Sequence, residues 1–180
     1  MNTPNKLTLL RIVLVPLMVA AFYIPWKYAY VAAAIIFIAG AITDTLDGNI
    51  ARKRGLITTF GKFMDPIADK ILVGAALIML TSIGTVSPIV TLIVVGREFV
   101  VSGVRLLMAE KGVVLAADVW GKAKTVTQTI AIPLVMLYNP IFCLIDVPVD
   151  QILLWISTVL CVVSGVRYVR GAWPYIFESR

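Results

Sequence analysis

The sequence predicts an all-α membrane protein with six transmembrane helices and both termini in the cytoplasm. Three observations predict it. The chain is 60% hydrophobic over 180 residues, where a soluble domain has roughly 45–50%, and its mean hydropathy is +0.96. The apolar residues lie in long runs, and a helix needs a run of roughly 20 to cross a bilayer. The loops between the runs alternate between basic-rich and basic-poor, as the positive-inside rule requires.

The runs give spans at about Leu7–Ile24, Tyr28–Thr43, Phe63–Leu80, Pro88–Met108, Thr125–Tyr138 and Ile152–Val169. Turn residues separate them: Pro25, the Gly84–Pro88 stretch, Gly112, Asn139–Pro140 and Pro148. The first run follows only Lys6 and ends without a small-residue cleavage pattern, so it reads as a span and not as a cleaved leader. Arg52, Lys53, Arg54 and Lys62 fall between spans two and three, Lys111, Lys122 and Lys124 between four and five, and Arg170 and Arg180 in the tail. The opposite loops hold Lys27, Asp146 and Asp150. The two acids read as solvated loop residues on the outer side. Trp26, Tyr28, Trp120, Trp173 and Tyr175 fall near the expected interfaces. The whole chain, 1–180, reads as one integral-membrane domain.

Composition removes several kinds of chemistry. The chain has no histidine, so Ser-His triads and His-based zinc sites are excluded. Cys143 and Cys161 stand far apart in apolar surroundings and read as packing residues. The net charge of +6 comes from residues dispersed among spans. It fits membrane orientation and contact with anionic lipid better than nucleic-acid binding. Any acid–base or metal chemistry must therefore come from carboxylates.

Those carboxylates are concentrated in one place. The chain reads Asp44-Thr-Leu-Asp47-Gly48-Asn-Ile-Ala51-Arg52, then eight residues, then Gly61-Lys-Phe-Met-Asp65-Pro-Ile-Ala-Asp69. Asp44, Asp47 and Ala51 share one helix face, and Asp65 and Asp69 share a face on the next helix. Two antiparallel helices joined by a short loop can bring the faces together. Four converging carboxylates repel, and a hard divalent cation resolves the repulsion. Gly48 and Gly61 leave room for a bulky group or for close helix packing, Ala51 keeps the same surface open, and Arg52 suits a phosphate oxygen. Acids at a membrane span are functional candidates.

This string matches D-x2-D-G-x2-A-R-x8-G-x3-D-x3-D at every fixed position. It resembles the signature of the CDP-alcohol phosphatidyltransferases. The segments Asn5-Lys-Leu-Thr8-Leu-Leu-Arg11, Arg97-Glu98-Phe-Val-Val-Ser-Gly103-Val-Arg105 and Gly121-Lys122-Ala-Lys124-Thr125 resemble the bacterial branch that makes phosphatidylglycerophosphate. The resemblance implies transfer of a phosphatidyl group from CDP-diacylglycerol to sn-glycerol 3-phosphate, with release of CMP. It implies that Asp44, Asp47, Asp65 and Asp69 hold Mg²⁺ or Mn²⁺, as one or two ions, and that Asp69 is also the general base. Gly48, Ala51, Arg52 and Gly61 would line the CDP-lipid site. It further implies a homodimer in the bacterial cytoplasmic membrane, with its active site toward the cytoplasm.

An acceptor that is itself a phosphate ester needs cations. Arg97, Arg105, Lys122 and Lys124 are the candidates for its phosphate. Residues 97, 98, 101 and 105 share a stripe of one helix. Glu98 reads as a partner that neutralises Arg97 or Arg105, and the two lysines read equally well as positive-inside anchors. Thr8 and Arg11 either touch the lipid headgroup or nucleotide, or make local bonds at the membrane border. Lys70 reads as a counter-charge to Asp69. Two other functions stay open: transfer to another acceptor, of inositol-phosphate or cardiolipin type, and divalent-cation transport.

Overall fold

The computed structural model describes residues 3–54, 59–113, 119–138 and 147–177, with side chains for 7–44, 64–113, 119–138 and 147–176. Six helices follow one another: α1 Thr3–Tyr23, α2 Ala29–Arg54, α3 Thr59–Ser82, α4 Pro88–Glu110, α5 Val119–Met136 and α6 Val149–Phe177. Each contains one of the six predicted runs almost whole. Several are longer than the apolar pattern alone suggests. Helix α2 continues through Arg54, so Asp47, Gly48, Ala51 and Arg52 lie on helical backbone, and Gly61 lies in the first turn of α3. Asp47, Gly48, Ala51, Arg52 and Gly61 otherwise lie outside the described side chains.

Local chemistry sets the helix ends. Helices α3 and α4 both stop at a glycine in the left-handed region, Gly84 (φ 78°) and Gly112 (φ 70°). After each, the chain closes back on the helix, Thr85 N–H to Leu80 O at 3.0 Å and Val113 N–H to Met108 O at 2.9 Å. These are Schellman closures, which satisfy carbonyls the helix leaves open. Helix α4 begins with Ser87 as N-cap, its hydroxyl accepting from Ile89 N–H at 3.3 Å, and with Pro88 in the first turn.

Contacts between helices fix which ends lie together. Thr81 near the end of α3 meets Thr91 near the start of α4 at 2.6 Å. Gln151 at the start of α6 donates to Thr85 O at 3.1 Å. Lys111, just past α4, donates to Tyr175 O near the end of α6. One end of the bundle thus gathers the α3–α4 turn and the start of α6. The other gathers the starts of α1, α3 and α5 with the ends of α2, α4 and α6. Asp150 differs from expectation: it lies in the first turn of α6 and is buried, where its charge complements the helix dipole.

A common core draws on every helix, including Met18, Phe37, Leu77, Val94, Ile132 and Leu154. A second, smaller cluster of Val104, Met108 and Ala172 joins α4 to α6 at the basic end. The outward faces are also apolar: Leu17, Ile35, Ile78, Leu92, Ile130 and Val159 are all exposed. Among the described residues one helix, Val149–Ile176, is long and apolar enough to cross a membrane, and the stretches Leu7–Tyr23 and Ala29–Asp44 are shorter apolar helices. The described residues thus form six helices where the sequence predicts six spans, and one of the six has the length and hydropathy of a membrane crossing.

Helices α2 and α3 meet at Gly40. A Cβ there would stand 2.8 Å from Leu72 Cδ2 and 3.8 Å from Arg11 Cγ, and Leu72 is itself in the core. Gly40→Val is expected to cost about 1–3 kcal/mol by overpacking, seen as a lower melting temperature in detergent. Gly103→Ala, where nothing stands within 4 Å, serves as the control and is expected not to lower it.

Candidate active site

Helix α1 closes over the acids of α2 and α3. Thr8 Oγ1 donates to Asp65 Oδ1 at 2.5 Å, and Arg11 Nη1 lies 2.7 Å from Asp44 Oδ1. Both Thr8 and Arg11 are fully buried. Arg11 therefore does not reach outward to headgroups; its buried guanidinium is directed at Asp44, whose side chain is partly exposed. The residues are three apart on α1, which sets them on one face. That face packs against α2 and α3 together.

Asp65 and Asp69 stand one turn apart on α3, as their spacing predicts. The charges of Asp44, Lys124, Glu98 and Arg11 all act on the Asp69 carboxyl. Asp69 is thus within electrostatic reach of Asp44 on α2 and of charged groups on α4 and α5. Oxygen donors of this kind suit a hard divalent ion. Among the described residues no group of three acids is gathered closely enough to hold one, and the fourth carboxylate, on Asp47, lies outside the described side chains.

The predicted cations separate into two kinds. Glu98 Oε1 accepts from Arg97 Nη1 at 2.9 Å and from Lys124 Nζ at 2.5 Å. Lys124 is buried, although it bears a charge. The partner of Glu98 is thus a residue of α5 as well as its own neighbour Arg97, and not Arg105. Two cations share one anion, leaving a surplus of one positive charge in a setting where bare charge is costly. Arg105 and Lys122 are exposed. Arg105 lies over the Tyr168 ring at 6.0 Å, a cation–π distance. Lys70 donates to Pro66 O at 3.0 Å, and the charges of Glu98, Arg105, Asp69 and Lys124 act on it.

Three positions, two polar and one glycine, escaped the reading of the sequence. Ser164, on α6, accepts from Arg97 Nη2 at 2.9 Å. Gly165, beside it, lies against the stem of Arg97. Gln128, one turn beyond Lys124 on α5, is 2% exposed, and its Nε2 has no hydrogen-bond partner among the described residues. The available signal was the isolated polar or small residue inside an apolar run.

Comparison with known proteins gives the same picture. The family model for CDP-alcohol phosphatidyltransferase matches residues 1–163. A CDP-diacylglycerol–glycerol-3-phosphate 3-phosphatidyltransferase of Bacillus subtilis (strain 168) is 40% identical, over 99% of this chain and 98% of its own. Proteins of the same name from Rickettsia bellii (strain RML369-C) and Pseudomonas fluorescens are 39% and 37% identical, over 97% and 100% of this chain and of their own lengths. With the acid string intact and the likeness running the length of the bundle, the chain belongs to the CDP-alcohol phosphatidyltransferase family.

Proposed function

We propose that this protein transfers the phosphatidyl group of CDP-diacylglycerol to sn-glycerol 3-phosphate, giving phosphatidylglycerophosphate and CMP. The observation that carries the reading is that α1 gathers the acids of α2 and α3, with Thr8 on Asp65 and Arg11 on Asp44, while Asp69 stands one turn further along α3 and the Glu98–Lys124 pair joins α4 to α5. A group that removes a proton from the acceptor hydroxyl must face the activated phosphate on one side and the bound acceptor on the other. The names of the relatives support the choice of substrates.

The acceptor hydroxyl oxygen bonds to the phosphorus that carries the diacylglycerol. The bond from that phosphorus to the CMP oxygen breaks, and CMP takes the electron pair. The hydroxyl proton passes to the Asp69 carboxylate. Arg97, Arg105, Lys122 and Lys124 supply the cations for the acceptor phosphate, with Lys124 and Arg97 foremost because Glu98 already gathers them. Gly48, Ala51, Arg52 and Gly61 line the CDP-lipid site. Asp44, Asp47, Asp65 and Asp69 would hold Mg²⁺ or Mn²⁺, which when bound neutralises the diphosphate and stabilises charge on departing CMP. Arg11 and Thr8 hold Asp44 and Asp65 in place for that task.

We infer further that the chain is one domain whose six helices span the bacterial cytoplasmic membrane. The apolar outward faces support this. The basic residues at the site end orient that end, with both termini, toward the cytoplasm, where nucleotide and glycerol 3-phosphate are found. The family resemblance supports a homodimer.

Purified protein in detergent, given CDP-diacylglycerol and Mg²⁺, is expected to release CMP with glycerol 3-phosphate. Inositol phosphate, serine and phosphatidylglycerol are expected to give none. EDTA should abolish release, and Asp69→Asn should lower it by about 10²-fold or more. Release with another acceptor alone would overturn the acceptor; release with none from folded protein would overturn the reaction. Within the cation group, Lys124→Met should raise KM for glycerol 3-phosphate about tenfold or more, the worth of one charged hydrogen bond. Exposed Lys122→Met should change it far less. Equal effects from the two would place them in one solvated field and remove Lys124 from the pocket.

A further inference from the structure

Arg97 presents a geometric difficulty. It lies in the middle of α4 among Val94, Val95, Val100 and Val101, yet its guanidinium reaches the carboxylate of the very next residue. Consecutive residues on a helix point about 100° apart and do not face each other. The side chain must therefore bend around its own helix to meet Glu98, and an arginine stem has many rotamers that do not. Some neighbour has to select the one that does.

Helix α6 supplies that neighbour in two adjacent residues. A Cβ at Gly165 would stand 3.0 Å from Arg97 Cγ, 3.8 Å from Nε and 4.0 Å from Cδ, so the arginine stem lies flat on bare backbone. Gly165 is not among the glycines in the left-handed region. Its missing side chain therefore serves space and not backbone conformation. A glycine inside a helix costs about 1 kcal/mol against alanine, so the space has a use. Ser164 then fixes the far end. Its single hydroxyl proton goes to Cys161 O at 3.1 Å, which leaves its lone pairs to accept from Arg97 Nη2 at 2.9 Å. With Nη2 held on α6, Nη1 is delivered to Glu98.

We propose that Ser164 and Gly165 are positioning residues. They hold Arg97 in the one conformation that lets Glu98 bridge it to Lys124, and so keep the cation pair set for the acceptor phosphate. This rests on the reading that Arg97 and Lys124 bind that phosphate. Cys161 O, Ser164, Arg97, Glu98 and Lys124 form one hydrogen-bonded line across α6, α4 and α5. If Arg97 turns away, Glu98 keeps Lys124 as its sole partner and neutralises it. Both cations are then lost to the acceptor although neither residue has been changed.

The test is a double-mutant cycle on the full-length protein in detergent, with Gly165→Ala, Arg97→Ala and both together. Gly165→Ala alone is expected to raise KM for glycerol 3-phosphate on the order of tenfold, the cost of a small misplacement in a binding group, while KM for CDP-diacylglycerol stays within about twofold. In the Arg97→Ala background, where there is no stem to displace, the same change should have no further effect. Ser164→Ala, which adds no bulk, should raise the same KM and be equally silent in that background. Equal effects of Gly165→Ala with and without Arg97 would overturn the proposal. So would a lowered melting temperature with both KM values unchanged. Should the wild-type protein release no CMP with glycerol 3-phosphate, the proposed reaction fails. The same cycle read by melting temperature then decides the Gly165–Arg97 coupling alone: non-additive shifts keep it, additive shifts end it.

Discussion

A charge held among apolar helices must meet a partner there, because neither lipid nor packed side chains can replace water. The bundle is organised around this requirement. Arg11 enters from α1 fully buried and finds Asp44 on α2. Glu98 on α4 finds Lys124 on α5 and Arg97 beside it. Apolar contacts alone leave helices free to slide, since one methyl resembles the next. The ion pairs reduce that freedom, because each charge meets its partners at one depth of the bundle. The register of α1 on α2 follows, and the Glu98–Lys124 bridge ties the depth of α4 to that of α5.

The acids of α2 and α3 are held by different chemistry. Arg11, a cation, lies 2.7 Å from Asp44 Oδ1, whereas Asp65 accepts a hydrogen bond from the neutral hydroxyl of Thr8. One face of α1 thus tethers both helices, with an ion pair to α2 and a hydrogen bond to α3.

Much of this was legible in the sequence, and the remainder was not for a definable reason. Periodicity and turn residues identify a helix and the face it presents, so the six helices and the shared face of Asp65 with Asp69 can be read directly, while the face expected for Asp44 with Asp47 lies outside the described side chains. The acid string named the family. Periodicity does not say which helix lies opposite. Thr8 and Arg11 could not be assigned to Asp65 and Asp44, nor Glu98 to Lys124, without the packing. The equal readings of Lys122 and Lys124 have the same origin: two residues apart on a helix, they point to different sides, and only the bundle shows which side is inside. Asp150 was read as a solvated loop acid because the sequence alone placed the start of the last helix two residues later. The small pair Ser164–Gly165 is silent in composition, since its meaning is the arginine lying across it.

The charged groups are divided between two halves of the chain. The acids of the family string and the residues that hold them come from α1, α2 and α3; the linked cations come from α4 and α5, with Ser164 and Gly165 of α6 against one of them. Such a division lets evolution work on the halves separately. On the proposed assignment of the two sites, a lineage that exchanges one cation, or the small residues that seat it, acquires a taste for a different alcohol, while the half assigned to the activated lipid stays as it was. A fold built in this way need invent its chemistry only once.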